Sequence, residues 1–305
     1  MLLSLAANAV FFRFRCLRTE RTLRYGPQKI TILAGALAQL ATIACVPSAH
    51  AVSQQPIESF SLKNGMQVVV VPNHRVPAVN HMIWFRIGAA DDPQGKSGLA
   101  HYHEHLMFKG SPKFGVGEYV RLVDKNGGDH NAFTGRDATS YYVTIAKDRL
   151  PLVMQLEADR MRALTVSDEE ALKEREVILE ERRTRTENHP GALLDEQMNA
   201  ALFRNHPYHM PVIGWMHEME GLTKKDALAF HAKYYHPNNA VLVVSGDITA
   251  AELRPLAEKY YGSLPPKDIP ARAWLAEPPQ IAARTMTLSH VNVKQPEFRR
   301  IYQAD

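Results

Sequence analysis

Residues 101–105 read HYHEH, three histidines and a glutamate in five positions. Side chains of these types bind divalent metals and move protons, and their spacing decides which of them act together. His101, Glu104 and His105 make H-x-x-E-H, which suits a helix. His101, His103 and His105 alternate, as they would on one face of a strand. The flanks favour the helix, because Leu99, His101, Leu106 and Met107 do not alternate and no Gly or Pro interrupts before Gly110. A helix is predicted over 97–109, with Ser97 as its N-cap and Gly110 as its stop. On that helix His101 and His105 lie one turn apart on one face, and Glu104 borders the same face. His103 points elsewhere and is expected at a partly exposed position. Two imidazoles so placed can clamp a zinc ion, and the carboxylate beside them can take a proton from water that zinc acidifies.

Zinc needs a third protein ligand, and the sequence limits its type. Both cysteines, Cys16 and Cys45, precede residue 52. That region reads as an export leader: basic residues from Arg13 to Lys29, then the apolar run ITILAGALAQLATIACV, then SAHA with Ala49 and Ala51 at A-x-A spacing. Cleavage is expected after Ala51, giving an exported, periplasmic or secreted chain with no thiol and no stable membrane span. Any metal site must then use His, Asp or Glu. The net charge of +4 is small for 305 residues, and no basic stripe with interleaved aromatics points to nucleic acid.

The elements that must position these residues alternate between types. SFSLKNGMQVVVVP is two β-rich runs around Asn64-Gly65, a hairpin signal. AVNHMIWFRIGA alternates, with apolar residues on both faces, and predicts a strand covered on both sides. GEYVRLVDKNGGD reads as a helix with a Gly-Gly stop, and HNAFTGRDATSYYVTIA as a strand pair. Three helical patterns follow, in DRLPLVMQLEADRMRAL, SDEEALKEREVILEERRTRTEN and GALLDEQMNAALF. The middle one opens on a capping box, Ser167 with Glu170. TKKDALAFHAKYY is a further helix, NNAVLVVSGDI a buried strand, and AAELRPLAEKYYGSLP a last helix. The fold class is α+β: a mixed, mainly antiparallel sheet with helices packed on one face. Residues 52–266 make one domain, 267–285 a proline-rich linker, and 286–305 a strand-like opening of a second domain too short to fold alone.

With these residues quoted, the chain resembles the pitrilysin/insulysin family of inverted-zincin metallopeptidases, which includes mitochondrial processing peptidase and its bacterial relatives. The similarity runs from about Ser59 to Pro265. In that family the third ligand is a glutamate on a helix reading E-x-x-x-x-x-x-E, and EREVILEE matches it. Glu181 lies 76 positions after His105, and Glu174 lies seven before Glu181. The resemblance implies Zn²⁺ on His101, His105 and Glu181, Glu104 as the catalytic base, and Glu174 supporting the site from behind the ligands. GGDHNAFTGRDATSYY matches the family's G-G-x-x-N-A-x-T segment, an edge strand that pairs with extended peptide substrate. Asn131 and Ala132 take its substrate-binding places. HPYHMPVIG and YYHPNNAVLVVSGDI match structural segments, so His206, His209 and His236 are expected to be structural or solvent-facing. The chain departs from the family at His103, where a small or apolar residue is usual, and in carrying one such domain where relatives carry two per half. The implied function is zinc-dependent endopeptidase activity on peptides or small unfolded proteins, with a second domain or partner subunit completing the cleft. The alternative is a non-catalytic subunit that binds peptides or partners.

Overall fold

The computed structural model describes residues 56–303 apart from Trp274. The leader expected over 1–51, with Cys16, Cys45 and the cleavage after Ala51, lies outside the described residues.

Six strands among the described residues form one sheet in the order β1-β2-β6-β3-β5-β4. β1 (Glu58–Ser61) and β2 (Gln67–Pro72) are the hairpin expected around Asn64-Gly65. Gly65 takes φ +85°, and Asn64 Nδ2 donates to the carbonyls of Tyr261 and Leu264, so the turn is pinned to the end of the last helix. β6 (Ala240–Gly246) inserts between β2, to which it is parallel, and β3 (Ala78–Phe85), to which it is antiparallel. β5 (Thr139–Ala146) and β4 (Asp129–Thr134) continue the antiparallel order, and β4 is the outer edge.

One face of this sheet is the core. Val68, Val70, Val79, Ile83, Phe85, Tyr141, Val143, Leu242 and Val244 are each buried there. Burial of such side chains contributes about 1.5–3 kcal/mol apiece. Helix α3 (Leu150–Arg162) packs on β3 and β5, α8 (Ala250–Tyr261) on β2, and α1 (Leu99–Leu106) and α2 (Glu118–Lys125) on β4. The other face departs from expectation. Met82 and Trp84 on β3 are only half-buried. Trp84 is covered by the edge of Phe133, with ring centroids 5.2 Å apart, so a strand neighbour shields it in place of a second helical layer.

Helix α4 (Asp168–Arg182) begins at Ser167, whose hydroxyl accepts from the Glu170 N–H, one half of the expected capping box. It ends sooner than the charged pattern suggested, passing into a π-helical turn, Arg183–Glu187. Buried Arg182 fixes that end, bonding both oxygens of Glu196 on α5 (Pro190–Leu202) and the carbonyl of Gly214. A short helix α6 (Met216–Met219) and α7 (Lys224–Tyr234) follow.

The strand-like opening expected over 286–305 is not a strand in residues 286–303. A strand needs a hydrogen-bonding neighbour, and among the described residues this segment has none. Met286, Leu288, Val291 and Val293 stay exposed. The stretch after α8 is tied down by polar contacts instead: Glu277 accepts from the N–H groups of Arg204, Asn205 and His206, Arg299 pairs with Asp195, and Gln303 donates to the Leu202 carbonyl. No helix of the described residues is long and apolar enough to cross a membrane.

Candidate metal centre

Helix α1 carries the histidines, and its start is built differently from the expected Ser97 cap. Gly98 is the N-cap, with φ +83°. A Cβ there would fall 2.7 Å from the Ile213 carbonyl oxygen, so only glycine fits. The Asp92 carboxylate accepts from the N–H groups of Gly98 and Ala100, both at 2.8 Å, and takes the role assigned to Ser97. Ser97 is buried and receives the Trp215 N–H instead. Tyr102 then sets α1 against α4 by donating to the Ala171 carbonyl at 2.6 Å.

This registration brings residues 76 positions apart in sequence into one site. His101 Nε2 lies 3.2 Å from His105 Nε2. Glu181 Oε2 lies 3.5 Å from His101 Nε2 and 3.3 Å from His105 Nε2. Among the described residues this is the group of His, Cys, Asp and Glu whose ligand atoms converge within 4.8 Å. A tetrahedral zinc ion with bonds of about 2.1 Å keeps its ligands about 3.4 Å apart. The triangle of edges 3.2, 3.3 and 3.5 Å therefore fits the ion, and two imidazoles with one carboxylate are a donor set that zinc accepts.

The surroundings orient the donors. His105 Nδ1 bonds Glu174 Oε1 at 2.8 Å, so with the proton on Nδ1 the Nε2 lone pair faces Glu181 and His101. Lys109 Nζ lies 2.5 Å from the other Glu174 oxygen. Arg185 Nη1 lies 2.7 Å from Glu181 Oε1, the oxygen turned away from the histidines. Among the described residues His101 Nδ1 is buried without a partner, so that ring is oriented by packing and by the contacts of its Nε2 with Glu181 and His105. Burial lowers the His105 pKa, but the bonds from Glu174 and Glu181 outweigh it and push it up to about 9. Hydrogen bonds from His101 and His105 hold Glu181 well below the usual carboxylate range. Burial raises Glu174, yet His105 and Lys109 outweigh it and leave its carboxyl lowered.

Glu104 is buried beside this triangle, and Thr134 Oγ1 donates to its Oε2 at 2.5 Å. Thr134 ends β4, so the edge strand and the carboxylate are joined directly. Asn131 is exposed on the same strand and accepts the Ala132 N–H at 2.8 Å, while Ala132 is half-buried.

His103 corrects the sequence reading. It is fully buried, with Nε2 3.1 Å from His231 Nδ1 and its ring 4.1 Å from that of Tyr235. The side of α1 opposite the His-His-Glu triangle packs on α7, a contact invisible from the spacing of one helix. His206, His209 and His236 bond local backbone, as expected of structural histidines. Four contributors escaped the sequence reading: Asp92, Lys109, Thr134 and Arg185. Three had a signal. Lys109 is four residues after His105, Arg185 four after Glu181, and Thr134 closes the quoted N-A-x-T.

Comparison with known proteins decides the family. Residues 67–214 match the family described as Insulinase (Peptidase family M16), and residues 221–303 match the one described as Peptidase M16 inactive domain. The chain belongs to the M16 peptidases. It is 37% identical over 244 residues to the zinc protease PqqE of Helicobacter pylori, covering 78% of this chain and 54% of that protein. It is 31% identical over 203 residues to an uncharacterized zinc protease of Mycobacterium leprae, covering 67% of this chain and 45% of the relative. The crystal structure of a protease from Helicobacter pylori superposes with a TM-score of 0.68 at 36% identity, over 73% of this chain and 54% of that one. The chain spans about half the length of the curated relatives it matches. The M16 match, the mixed sheet and the His-His-Glu group agree with the family and fold class expected from the sequence.

Proposed function

We propose that this M16 chain is the zinc-bearing part of an exported metalloendopeptidase, with His101, His105 and Glu181 as the zinc ligands. The observation that carries the proposal is the triangle of Nε2, Nε2 and Oε2 atoms at 3.2–3.5 Å with a buried carboxylate, Glu104, beside it. Bound zinc supplies a Lewis acid that polarises a carbonyl and acidifies water.

The protein groups do the rest. Glu104 takes a proton from the attacking water as the water oxygen bonds the scissile carbon, and passes that proton to the amine nitrogen as the C–N bond breaks. Thr134 holds Glu104 Oε2 and so fixes which carboxylate oxygen faces the water. Glu174, held by Lys109, keeps His105 in the tautomer that offers Nε2. It is therefore a positioning group and not a participant in proton transfer. Among the described residues β4 is an unpaired edge, and an extended peptide adding to it would run past Asn131 and Ala132 toward Thr134 and Glu104.

A second reading is a non-catalytic subunit that binds peptides or partners. A peptide cleft needs two walls to exclude water. We assign the second wall to a further domain or partner subunit, reached through the linker at 267–285. Export through a leader ending at Ala51 predicts a mature N-terminus at Val52, and N-terminal sequencing of recovered protein checks it. The ligand set is tested by metal analysis after dialysis. Glu181→Gln is expected to lose zinc while its exposed neighbour variant Glu180→Gln retains it. Zinc loss from Glu180→Gln alone would show that the assigned helix face is wrong.

A further inference from the structure

Both carboxylates that α4 sends to the histidines are divided in the same way: one oxygen to the imidazoles, the other to a cation. For Glu174 the cation is Lys109, and for Glu181 it is Arg185. Arg185 is not on α4 itself. It lies in the π-helical turn Arg183–Glu187, and the chain there is held by the Asn188 N–H on the Arg183 carbonyl and by buried Arg182 below. Turns of this kind inside or at the end of α-helices are uncommon, and they re-aim side chains. Here the turn sets Arg185 Nη1 2.7 Å from Glu181 Oε1, while Oε2 faces His101 and His105.

From this we infer that Arg185 is a positioning residue for the metal: it occupies Oε1 and so fixes Glu181 as a ligand through Oε2 alone. The inference rests on the zinc reading given above. A carboxylate without such a partner rotates among orientations, many of which no longer present Oε2 to the metal, which costs affinity, while in others it offers both oxygens, which raises the coordination number above the four of a catalytic zinc site. Arg185 is 72% exposed, so as a surface ion pair it adds little to stability, and its effect is expected on the metal and not on folding.

Removing a cation also lowers the local positive charge, which alone would favour metal binding. Arg183 provides the matched control. It is an exposed arginine on the same turn and pairs with Glu180, which does not face the histidines. The test uses the full chain and its variants Arg185→Gln, Arg185→Lys and Arg183→Gln. Zn²⁺ affinity is measured by competition with a chromophoric chelator, and coordination is read from the d–d absorption of the Co²⁺-loaded protein, which weakens as coordination rises above four. Arg185→Gln is expected to weaken zinc binding by about 10–100-fold, as loss of partners behind a ligand does, and to weaken the Co²⁺ bands. Arg183→Gln should match the unaltered chain, and Arg185→Lys should recover part of both losses. Equal behaviour of Arg185→Gln and Arg183→Gln, or tighter zinc binding in Arg185→Gln, would overturn the inference. Absence of zinc binding in the unaltered chain would overturn the ligand reading itself, which separates the two failures.

Discussion

Lowering the pH from 7 to 5 loads protons onto the unfolded chain that three buried histidines, His81, His231 and His103, resist accepting in the fold. His81 lies in the core face of β3, bonds the Tyr261 hydroxyl through Nε2, and is fully buried. Burial drives its pKa from 6.5 down to about 4, with Glu157 raising it and Arg160 lowering it to smaller extents. His231 on α7 bonds the Met161 carbonyl and faces His103, and burial drives it to about 4 as well. A folded pKa below the unfolded one means that the unfolded state binds more protons between the two values. The stability these groups confer is therefore present above pH 6.5 and lost as pH falls toward 4. Linkage puts the loss between pH 7 and 5 at about 2 kcal/mol for each histidine. In metal-free protein His105 works the other way, because its pKa is raised to about 9, and it offsets about 1 kcal/mol over the same interval. His81, His231 and His105 together give a net loss of about 3 kcal/mol, to which His103, also driven well below 6.5 by burial, adds; that is a large share of the usual 5–15 kcal/mol of a domain. Urea unfolding of metal-free protein followed by circular dichroism at pH 7, 6 and 5 measures it. His81→Gln and His231→Gln should each remove about 2 kcal/mol of the pH dependence, and their combination about twice that, leaving the part that His103 contributes. An unchanged slope between pH 7 and 5 in the double variant would refute the reasoning.

Thr134→Val should retain zinc but reduce peptide turnover by about 10-fold or more, since a hydrogen bond to a charged group is worth about 1.5–3 kcal/mol; equal turnover would remove Thr134 from the site. Zinc affinity should rise about tenfold per pH unit between pH 7 and about 9, because the metal displaces the proton that Glu174 and Glu181 hold on His105. Isothermal titration in buffers of different ionisation enthalpy counts that proton, and a pH-independent affinity with no proton release would contradict it.

The face of α1 that carries the candidate site was legible because helical period alone places His101, Glu104 and His105 together, and the hairpin at Asn64-Gly65 because its turn chemistry is local. Glu181 was reached only by resemblance. Nothing in α4 itself distinguishes it from the exposed Glu180 until Tyr102 and Ala171 register the two helices. His103 was misread for the same reason, since its burial depends on α7, whose His231 lies 128 residues later in the chain, and which packs from the opposite side. The strand expected after residue 286 failed because alternation states that a segment could be a strand, not that a neighbour exists to pair with it. The Asp92 cap was hidden by its distance from the helix start and by the choice of Ser97, which the local rules prefer.

The division of labour between the zinc ligands and Glu104 is the central claim, and one pair of measurements on Glu104→Gln tests it most directly: zinc content after dialysis, and chelator-sensitive hydrolysis of an unstructured peptide by the same sample. The account predicts one zinc per chain in both the unaltered protein and the variant, with hydrolysis by the variant lower by about 10²–10⁴-fold. Hydrolysis by Glu104→Gln at the rate of the unaltered chain, or loss of its zinc, would contradict it.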